Sequence, residues 1–383
     1  MASGDIVRSE SKLITVAHLT DVVDGRSNSG TARVAQELIS QLALQPNIRQ
    51  VFIHFQQSHE DIYRLPGTRE IVIPLKRFPF ASHFFSFIIY WIPKFFSAKQ
   101  ERFDVVHWHA SRVYPLFFLI KSKKICLTLH DANNRIIRGI NTFWTALFYW
   151  NIRFSINHID YIFGVSQDAC SKLIEIAKFP APKVKCLYVA SKFESLEPIK
   201  PEGFGLLPGY LICVSRWQNF KNVETLVEAY SLLLKHSPHL PKLVLVGKPV
   251  AGYDLPLRRI KELSLQNQVT ILTDLTDSEL AFLYRGALIN IFPSLHEGFG
   301  LSILEGLKCG CPSIDHKYTS TSEVSGEAGI HVDMTSAESL KEGILLLLDN
   351  PSLVQKLKVL AIKRSEFFTW EKTVQTLIGY YTS

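Results

Sequence analysis

The chain has 383 residues, 47% hydrophobic and 20% charged, which is too long for one comfortable core and too apolar for extended disorder. Its formal charge of +7 is uneven, because residues 1–200 hold 25 Lys and Arg against 16 Asp and Glu, whereas residues 201–383 hold 17 against 19. The basic first half favours an anionic partner such as a phospholipid surface, a phosphorylated acceptor or nucleic acid, and a merely soluble basic face explains it equally well.

Short apolar runs recur along the chain, and each is followed by a polar or glycine-containing turn and a segment of helix length. This order is typical of parallel βαβ units. Seven runs lie in the first half: residues 14–19, 51–55, 71–75, 105–108, 125–129, 161–165 and 184–189. Six lie in the second half: residues 210–214, 243–246, 269–272, 288–292, 312–314 and 330–332.

A segment rich in proline and glycine, residues 191–208, separates the two series and favours a linker. The sequence therefore predicts two doubly wound α/β domains, residues 1–198 and 199–365. A last helix in residues 366–383, capped near Thr369, is expected to pack back toward the first domain. Ligands of open parallel sheets bind beyond the carboxyl ends of the strands, so functional residues are expected there.

The cysteine spacing, the polar N-terminal residues and two apolar stretches indicate where in the cell the protein acts. Six cysteines show no C-x-x-C spacing and residues 1–12 are polar, which predicts a reducing, cytoplasmic setting without a structural metal. Two aromatic-rich stretches, residues 84–92 and 143–150, are too short to span a bilayer. Because lysines and arginines flank them, we expect a peripheral membrane contact, with ordinary core helices as the alternative.

The strongest motif is FPSLHEGFGLSILEG at residues 292–306, where a strand ends, a glycine loop follows and a helix starts near Gly300. Gly298 and Gly300 permit close backbone approach, and amides at a helix start favour an anion. Glu297 and Glu305 are eight residues apart, so they can address opposite ends of one long ligand. Taken singly, Glu297 is better interpreted as a helix cap and Glu305 as a solvated surface charge.

A second cluster of polar residues follows the run at residues 210–214. Arg216 can grip phosphate oxygens with two nitrogens and Lys221 supplies a point charge, a combination that suits a diphosphate. In the first half, His107, His109 and His130 end strands. His130 is predicted to face a reacting group, whereas His107 and His109 are interpreted as structural, with no metal site because no third ligand stands nearby in the sequence.

These motifs resemble the retaining glycosyltransferases of family 4, which have the GT-B fold of two Rossmann-like domains facing each other across a cleft. Glu297 and Glu305 match the family's E-x7-E motif, Arg216 and Lys221 its arginine–lysine pair, and Glu323 lies in a further matching segment. The resemblance covers nearly the whole chain. It is most specific from Tyr210 onward.

The resemblance implies a role for each matching residue. The catalytic set would be His130, Glu297, Arg216 and Lys221, with the two cations neutralising the departing diphosphate. The donor's sugar and phosphates would contact Glu297, Gly298, Phe299, Gly300 and Leu301, and its ribose Glu305. From their strand-end placement, Gly247, Asp274 and Leu275 are expected near the base. The segment Asn28, Ser29, Gly30 and Thr31 resembles an acceptor or phosphate loop, with Ser29 in place of a glycine.

The expected function is retaining transfer of a hexose from a GDP- or UDP-sugar, with the GDP-mannose type favoured, to a saccharide or lipid-linked acceptor. Cell-envelope polysaccharide or lipopolysaccharide synthesis is the expected setting. No cofactor or metal is expected, and no nucleic-acid partner, because the chain lacks a recognition motif. Two alternatives stay open: a sugar-nucleotide epimerase of similar architecture, and a non-catalytic sugar-nucleotide-binding subunit.

Overall fold

A computed structural model describes residues 13–19, 30–55, 65, 67–76, 82–97, 99–109, 116–130, 142–237, 239–250 and 252–383. Within these ranges the strands form two all-parallel sheets. The first has the order β3-β2-β1-β4-β5-β6-β7 and the second the order β10-β9-β8-β11-β12-β13. Both orders reverse direction next to the first strand of the sheet, as in doubly wound folds.

All thirteen strands predicted from the sequence are present. The first sheet consists of β1 (Ile14–Leu19), β2 (Ile48–Phe55), β3 (Arg69–Ile73), β4 (Phe103–His109), β5 (Ser122–Thr128), β6 (Tyr161–Gly164) and β7 (Val184–Cys186). The second consists of β8 (Tyr210–Val214), β9 (Leu243–Val246), β10 (Val269–Leu272), β11 (Ala287–Phe292), β12 (Ser313–His316) and β13 (Gly329–Val332). Their central strands are buried on both faces, which is why they read as continuous apolar runs.

Helices cover both faces of each sheet. In the first half they are α1 (Gly30–Ala43), α2 (Ser82–Phe95), α3 (Thr142–Phe154) and α4 (Gln167–Glu175). In the second half they are α5 (Val223–His236), α6 (Leu255–Glu262), α7 (Asp277–Gly286), α8 (Leu301–Lys308), α9 (Ser320–Ser325), α10 (Ala337–Leu348) and α11 (Pro351–Ser365). The last helix is α12 (Trp370–Thr382). None of the helices in the described ranges combines the length and the apolar character needed to cross a bilayer.

The last helix, α12, packs against the first sheet although it follows the second domain in the chain. Thr369 caps it by accepting a hydrogen bond from the amide of Lys372, as the sequence predicts. The Thr373 hydroxyl donates to the Tyr188 carbonyl at 2.8 Å, and the Tyr381 hydroxyl lies 2.6 Å from His107 Nδ1. The predicted domain boundary at 198/199 falls between β7 and β8 and stays a prediction.

The two sheets meet with the carboxyl ends of their strands facing one cleft. The Glu323 carboxylate on α9 accepts hydrogen bonds from the first two amides of α4, Gln167 at 2.9 Å and Asp168 at 3.1 Å. The Tyr188 hydroxyl donates to the same carboxylate at 2.6 Å. A helix start favours negative charge, so this contact holds the first domain against the second.

The backbone conformation of Gly247, at this cleft, has no room for a side chain. Its φ is +136°, and a β-carbon there would lie 1.9 Å from the Ser215 carbonyl oxygen. Gly247→Ala should therefore lower the free energy of unfolding by at least the roughly 1–3 kcal/mol typical of backbone strain. Chemical denaturation measures this loss.

Gly379→Ala is the matched control, because a β-carbon at this position in α12 would meet no atom within 4 Å. Alanine is the better helix former, so this variant should be as stable as the parent protein or slightly more stable. Equal stability of the two alanine variants would contradict the described backbone at Gly247.

Candidate active site

A cavity of about 460 Å³ opens between the two domains at the carboxyl ends of their strands. Every predicted site residue within the described ranges lines it: Gly30, Thr31, His130, Arg216, Lys221, Gly247, Asp274, Leu275, Glu297, Gly298, Phe299, Gly300, Leu301 and Glu305. Asn28 and Ser29 lie outside the described residues. The structure thus brings these residues to one cavity, while the role of each stays a prediction.

The glycine loop leads from β11 into the start of α8. Gly300 caps that helix with a φ of +103°, a conformation that favours glycine. The Ser166 hydroxyl donates to the Gly298 carbonyl at 2.6 Å, and the Ser320 hydroxyl donates to the Glu297 carbonyl at 3.1 Å. The loop carbonyls are therefore held by protein donors, and the first amides of α8, which lack intrahelical acceptors, can receive an anion.

Lys221 and Glu297 form a half-buried ion pair at the centre of the cavity wall. Two contacts join the loops that carry them: the Leu295 amide donates to the Phe220 carbonyl at 2.8 Å, and Asn222 Nδ2 donates to the Pro293 carbonyl at 3.3 Å. The lysine and the carboxylate thus hold each other in place before any ligand binds. A ligand that brings both phosphates and hydroxyls can replace this pair with two contacts of its own.

Arg216 lies exposed at the cavity wall directly after β8. On the same side, Lys248 and Asp274 form an exposed ion pair at 2.7 Å. The Lys248 ammonium and the Thr273 hydroxyl hold the pKa of the Asp274 carboxyl below its usual value. Gly247 and Leu275, which are half-buried, lie beside this exposed pair on the cavity wall, and their predicted contact with a nucleotide base stays a prediction.

Glu305 is the most buried carboxylate of the cavity, with only 3% of its surface exposed. Burial raises its pKa to about 7, and the Arg33 guanidinium opposes part of that rise. Arg33 Nη1 lies 3.3 Å from Glu305 Oε1 and Arg33 Nη2 lies 3.1 Å from Asp277 Oδ1. The alternative that Glu305 is a solvated surface charge is therefore wrong.

His130 lies just after β5 and faces the same cavity. Burial lowers its pKa to about 4, so the ring is neutral near pH 7. A neutral imidazole can donate or accept one hydrogen bond beside a reacting sugar but carries no charge to stabilise a diphosphate. Among the described residues that line this cavity, the cations are Arg33, Arg216 and Lys221.

The structure corrects the expectation that His107 and His109 have no third ligand nearby. His18 on β1 lies beside them, and three ligand nitrogens of His18, His107 and His109 fall within 4.8 Å of one another. Most of the nitrogens named have partners: His18 Nδ1 lies 3.0 Å from His109 Nε2, and both nitrogens of His107 reach hydroxyls, of Tyr381 at 2.6 Å and Thr128 at 2.8 Å. His18 Nε2 is buried and has no hydrogen-bond partner among the described residues. The three rings thus form a buried cluster that is only partly hydrogen-bonded, and the absence of a metal stays a prediction.

Sequence reasoning missed Arg33, Asp277 and His18. Arg33 sits in the first turn of a helix after a strand and His18 near the end of a strand, so the strand-end rule could have found both. Asp277 gives no such signal, because it appears only as an acidic residue in the first turn of α7. Its place beside Arg33 depends on how the two domains meet.

Comparison with known proteins agrees with this geometry. The family model described as Glycosyltransferase Family 4 matches residues 28–189, and the one described as Glycosyl transferases group 1 matches residues 199–364. The chain is 26% identical over 234 residues to the O-antigen chain mannosyltransferase B of Escherichia coli, covering 59% of this chain and 61% of that protein. It is 28% identical over 249 residues to the serotype-specific mannosyltransferase WbdA of Escherichia coli, covering 61% and 30%.

The chain thus spans less than two thirds of the length of either relative. Among solved structures, HepE from Anabaena, in complex with UDP and glucose, has the same fold with a TM-score of 0.71 and 14% identity, covering 97% of this chain and 100% of that one. Fold and cavity define a GT-B glycosyltransferase. The chain belongs to glycosyltransferase family 4.

Because His18 is buried, the free energy of unfolding is expected to depend on pH. Burial lowers the pKa of His18 to about 3, far below the value of about 6.5 expected in the unfolded chain. The unfolded state therefore binds more protons below pH 6.5, and the free energy of unfolding should fall as the pH drops from 7 to 5, by about 2 kcal/mol for one such histidine.

His18→Gln should flatten this pH dependence by about that amount, measured as the difference between denaturant unfolding at pH 7 and at pH 5. His239→Gln, which changes an exposed histidine, should leave the slope as it is. An unchanged slope in His18→Gln would contradict a neutral, buried His18.

Proposed function

We propose that this protein is a retaining hexosyltransferase that uses a nucleotide diphosphate sugar and acts in the synthesis of a cell-envelope polysaccharide or lipopolysaccharide. Its acceptor would be a saccharide or a lipid-linked saccharide. Membership of family 4 and the two mannosyltransferase relatives support this proposal. The observation that supports it most is the convergence of Arg216, Lys221 and the α8 amino terminus with the two E-x7-E carboxylates at one cavity.

Each part of the cavity suits one part of such a donor. The diphosphate would lie between Arg216, Lys221 and the first amides of α8, where positive charge and free donors favour it. Glu297 would accept hydrogen bonds from sugar hydroxyls and Glu305 from the ribose. The ring of His130 faces the same space and would contact the transferred sugar.

Transfer in this cavity needs charge stabilisation more than a nucleophile, because the donor carries its own leaving group. As the glycosidic bond breaks, negative charge grows on the departing diphosphate, and Arg216, Lys221 and the α8 dipole would stabilise it. A donor phosphate oxygen would take the acceptor's proton on the same face of the sugar, so the configuration is retained. These protein cations would serve without a metal, and transfer should persist in excess EDTA.

The donor is proposed to be GDP-mannose, because both Escherichia coli relatives are mannosyltransferases. A UDP-sugar is the competing donor, since HepE of the same fold is seen with UDP and glucose. Thermal unfolding with a panel of GDP- and UDP-sugars distinguishes them, because a ligand bound tightly to the folded state raises the unfolding midpoint.

Lys221→Ala and Glu297→Ala should each lower transfer about 10²–10³-fold while the protein stays folded, because each removes a contact at a preorganised site. The assay measures saccharide product from the donor selected by the panel. Lys235→Ala, which removes an exposed lysine from α5, is the matched control and should keep full activity.

Three results would count against this assignment. Full turnover in Lys221→Ala would exclude the proposed diphosphate position. Return of the donor as its epimer without an acceptor would favour the epimerase alternative. Donor binding without hydrolysis or transfer under any acceptor would favour the non-catalytic subunit.

We also propose that the first domain docks on an anionic lipid surface through one face, formed by α2 and α3. Exposed apolar side chains recur on α2 and just beyond it at helical spacing, and two more are exposed on α3: Phe85, Ile89, Ile92, Phe96, Trp150 and Phe154. Both helices pack on the same side of the first sheet, where Phe118 contacts Phe154. Neither helix contains an acidic residue, and Lys94, Lys99 and Arg153 lie on or beside them. Aromatic and cationic side chains together suit a bilayer interface.

Replacing Phe96 and Trp150 together by serine should reduce cosedimentation with vesicles that contain phosphatidylglycerol, because it removes two largely exposed side chains from this face. The control replaces Leu207 and Val359, equally exposed on the second half of the chain, and should bind like the parent protein. Equal loss in both variants, or no binding of the parent protein, would refute this docking face.

A further inference from the structure

Arg33 belongs to the first domain but contacts two carboxylates of the second. One nitrogen of its guanidinium lies 3.3 Å from Glu305 on α8, and the other lies 3.1 Å from Asp277 on α7. The guanidinium carbon also lies 5.8 Å from the centre of the Phe193 ring. Arg33 therefore bridges the cleft directly beside the cavity that would hold the donor.

Two helix starts meet at this point. A β-carbon on Gly30, the first residue of α1, would lie 3.2 Å from Leu301 Cδ1, at the first residue of α8. Arg33 is three residues beyond Gly30 and Glu305 four residues beyond Leu301, so each pair lies on one face of its helix. The contact of Arg33 with Glu305 therefore lies one helical turn beyond the contact of Gly30 with Leu301 along the same two helices. Both contacts depend on the same approach of the two domains.

The surroundings of Glu305 make a cationic partner necessary. Asp277 and Tyr284 face it from α7, and Cys309 follows the end of its own helix. Burial raises the pKa of Tyr284 far above its usual value and that of Cys309 to about 12, so both stay neutral near pH 7. Asp277 adds negative charge. In the described part of the chain, the guanidinium of Arg33 is the cation paired with this buried carboxylate.

We propose that Arg33 is a positioning residue, which favours the charged form of the Glu305 carboxylate and holds it in place to accept hydrogen bonds from the ribose hydroxyls of a bound nucleotide. The inference rests on the proposed nucleotide-sugar function. A charged carboxylate accepts from both hydroxyls of a ribose, whereas a protonated carboxyl is an acceptor at fewer positions and also a donor. Because Arg33 comes from the other domain, recognition of the ribose depends on the two domains being in contact.

The test compares nucleotides that differ only at the ribose. Calorimetric titration measures binding of GDP and 2′-deoxy-GDP, and of UDP and 2′-deoxy-UDP, to the full chain. The parent protein should prefer the ribonucleotide of its own base by about tenfold, the range expected for a hydrogen bond to a charged group. In Arg33→Ala the preference should fall below about twofold at pH 7 and recover as the pH rises, because Glu305 then loses its proton without help.

The ratio of the two affinities separates this role from others, because titration of the shared diphosphate cancels in it. Arg33→Lys keeps the charge but cannot bridge both carboxylates, so it should restore part of the preference. The control is Lys192→Ala. Lys192 pairs at 2.6 Å with Glu37 of α1, the helix that carries Arg33, and this variant should retain the full ribose preference. If Arg33→Ala does not fold, the preference of the parent protein should still rise from pH 6 to pH 8.

Several outcomes would overturn the proposal. An unchanged ribose preference in Arg33→Ala would show that Glu305 does not need this partner. If Arg33→Ala bound the ribonucleotide and the deoxynucleotide more weakly by the same factor, Arg33 would be only a structural residue. If Arg33→Ala bound the ribonucleotide more tightly than the parent protein does, Arg33 would compete with the ribose for Glu305. Failure of the parent protein to bind either GDP or UDP would instead refute the proposed function on which the inference rests.

Discussion

The two domains meet where the amino terminus of α4 donates hydrogen bonds to the Glu323 carboxylate. The charge of the carboxylate matches the positive end of the helix, and Tyr188 adds a third donor. Beside it, Ser166 caps α4 and also holds the Gly298 carbonyl, so the same helix start supports the glycine loop. The position of the first domain and the shape of the loop are thereby set together.

The two glutamates of the E-x7-E motif have different partners in the same cavity. Glu297 pairs with Lys221 from its own domain, whereas Glu305 pairs with Arg33 from the other domain. Each carboxylate is thus compensated before a ligand binds, which limits the cost of burying it. A ligand that contacts both glutamates therefore meets Lys221, which comes from the same domain as the glutamates, and Arg33, which is present only when the two domains are in contact.

The sequence predicted most of the fold because buried parallel strands appear as separate apolar runs, and all thirteen runs are strands. It also predicted residues that line one cavity, because Arg216, His130 and Glu297 follow strand ends, which meet at one edge of each sheet. The bridge from Arg33 to Glu305 could not be predicted in the same way. Its two residues are 272 positions apart and belong to different domains, so no local pattern relates them.

The sequence by itself determined the class of the protein: two doubly wound domains, the glycine loop, and the acidic and basic residues that line the cavity. Those features follow from periodicity and from motifs a few residues long, which local chain geometry expresses directly. Only the tertiary structure decided which charges face each other, that Glu305 is buried, and that His18 joins His107 and His109. Burial and pairing depend on the approach of segments far apart in the chain, and the electrostatic energy of a carboxylate changes far more with its surroundings than with its neighbours in sequence.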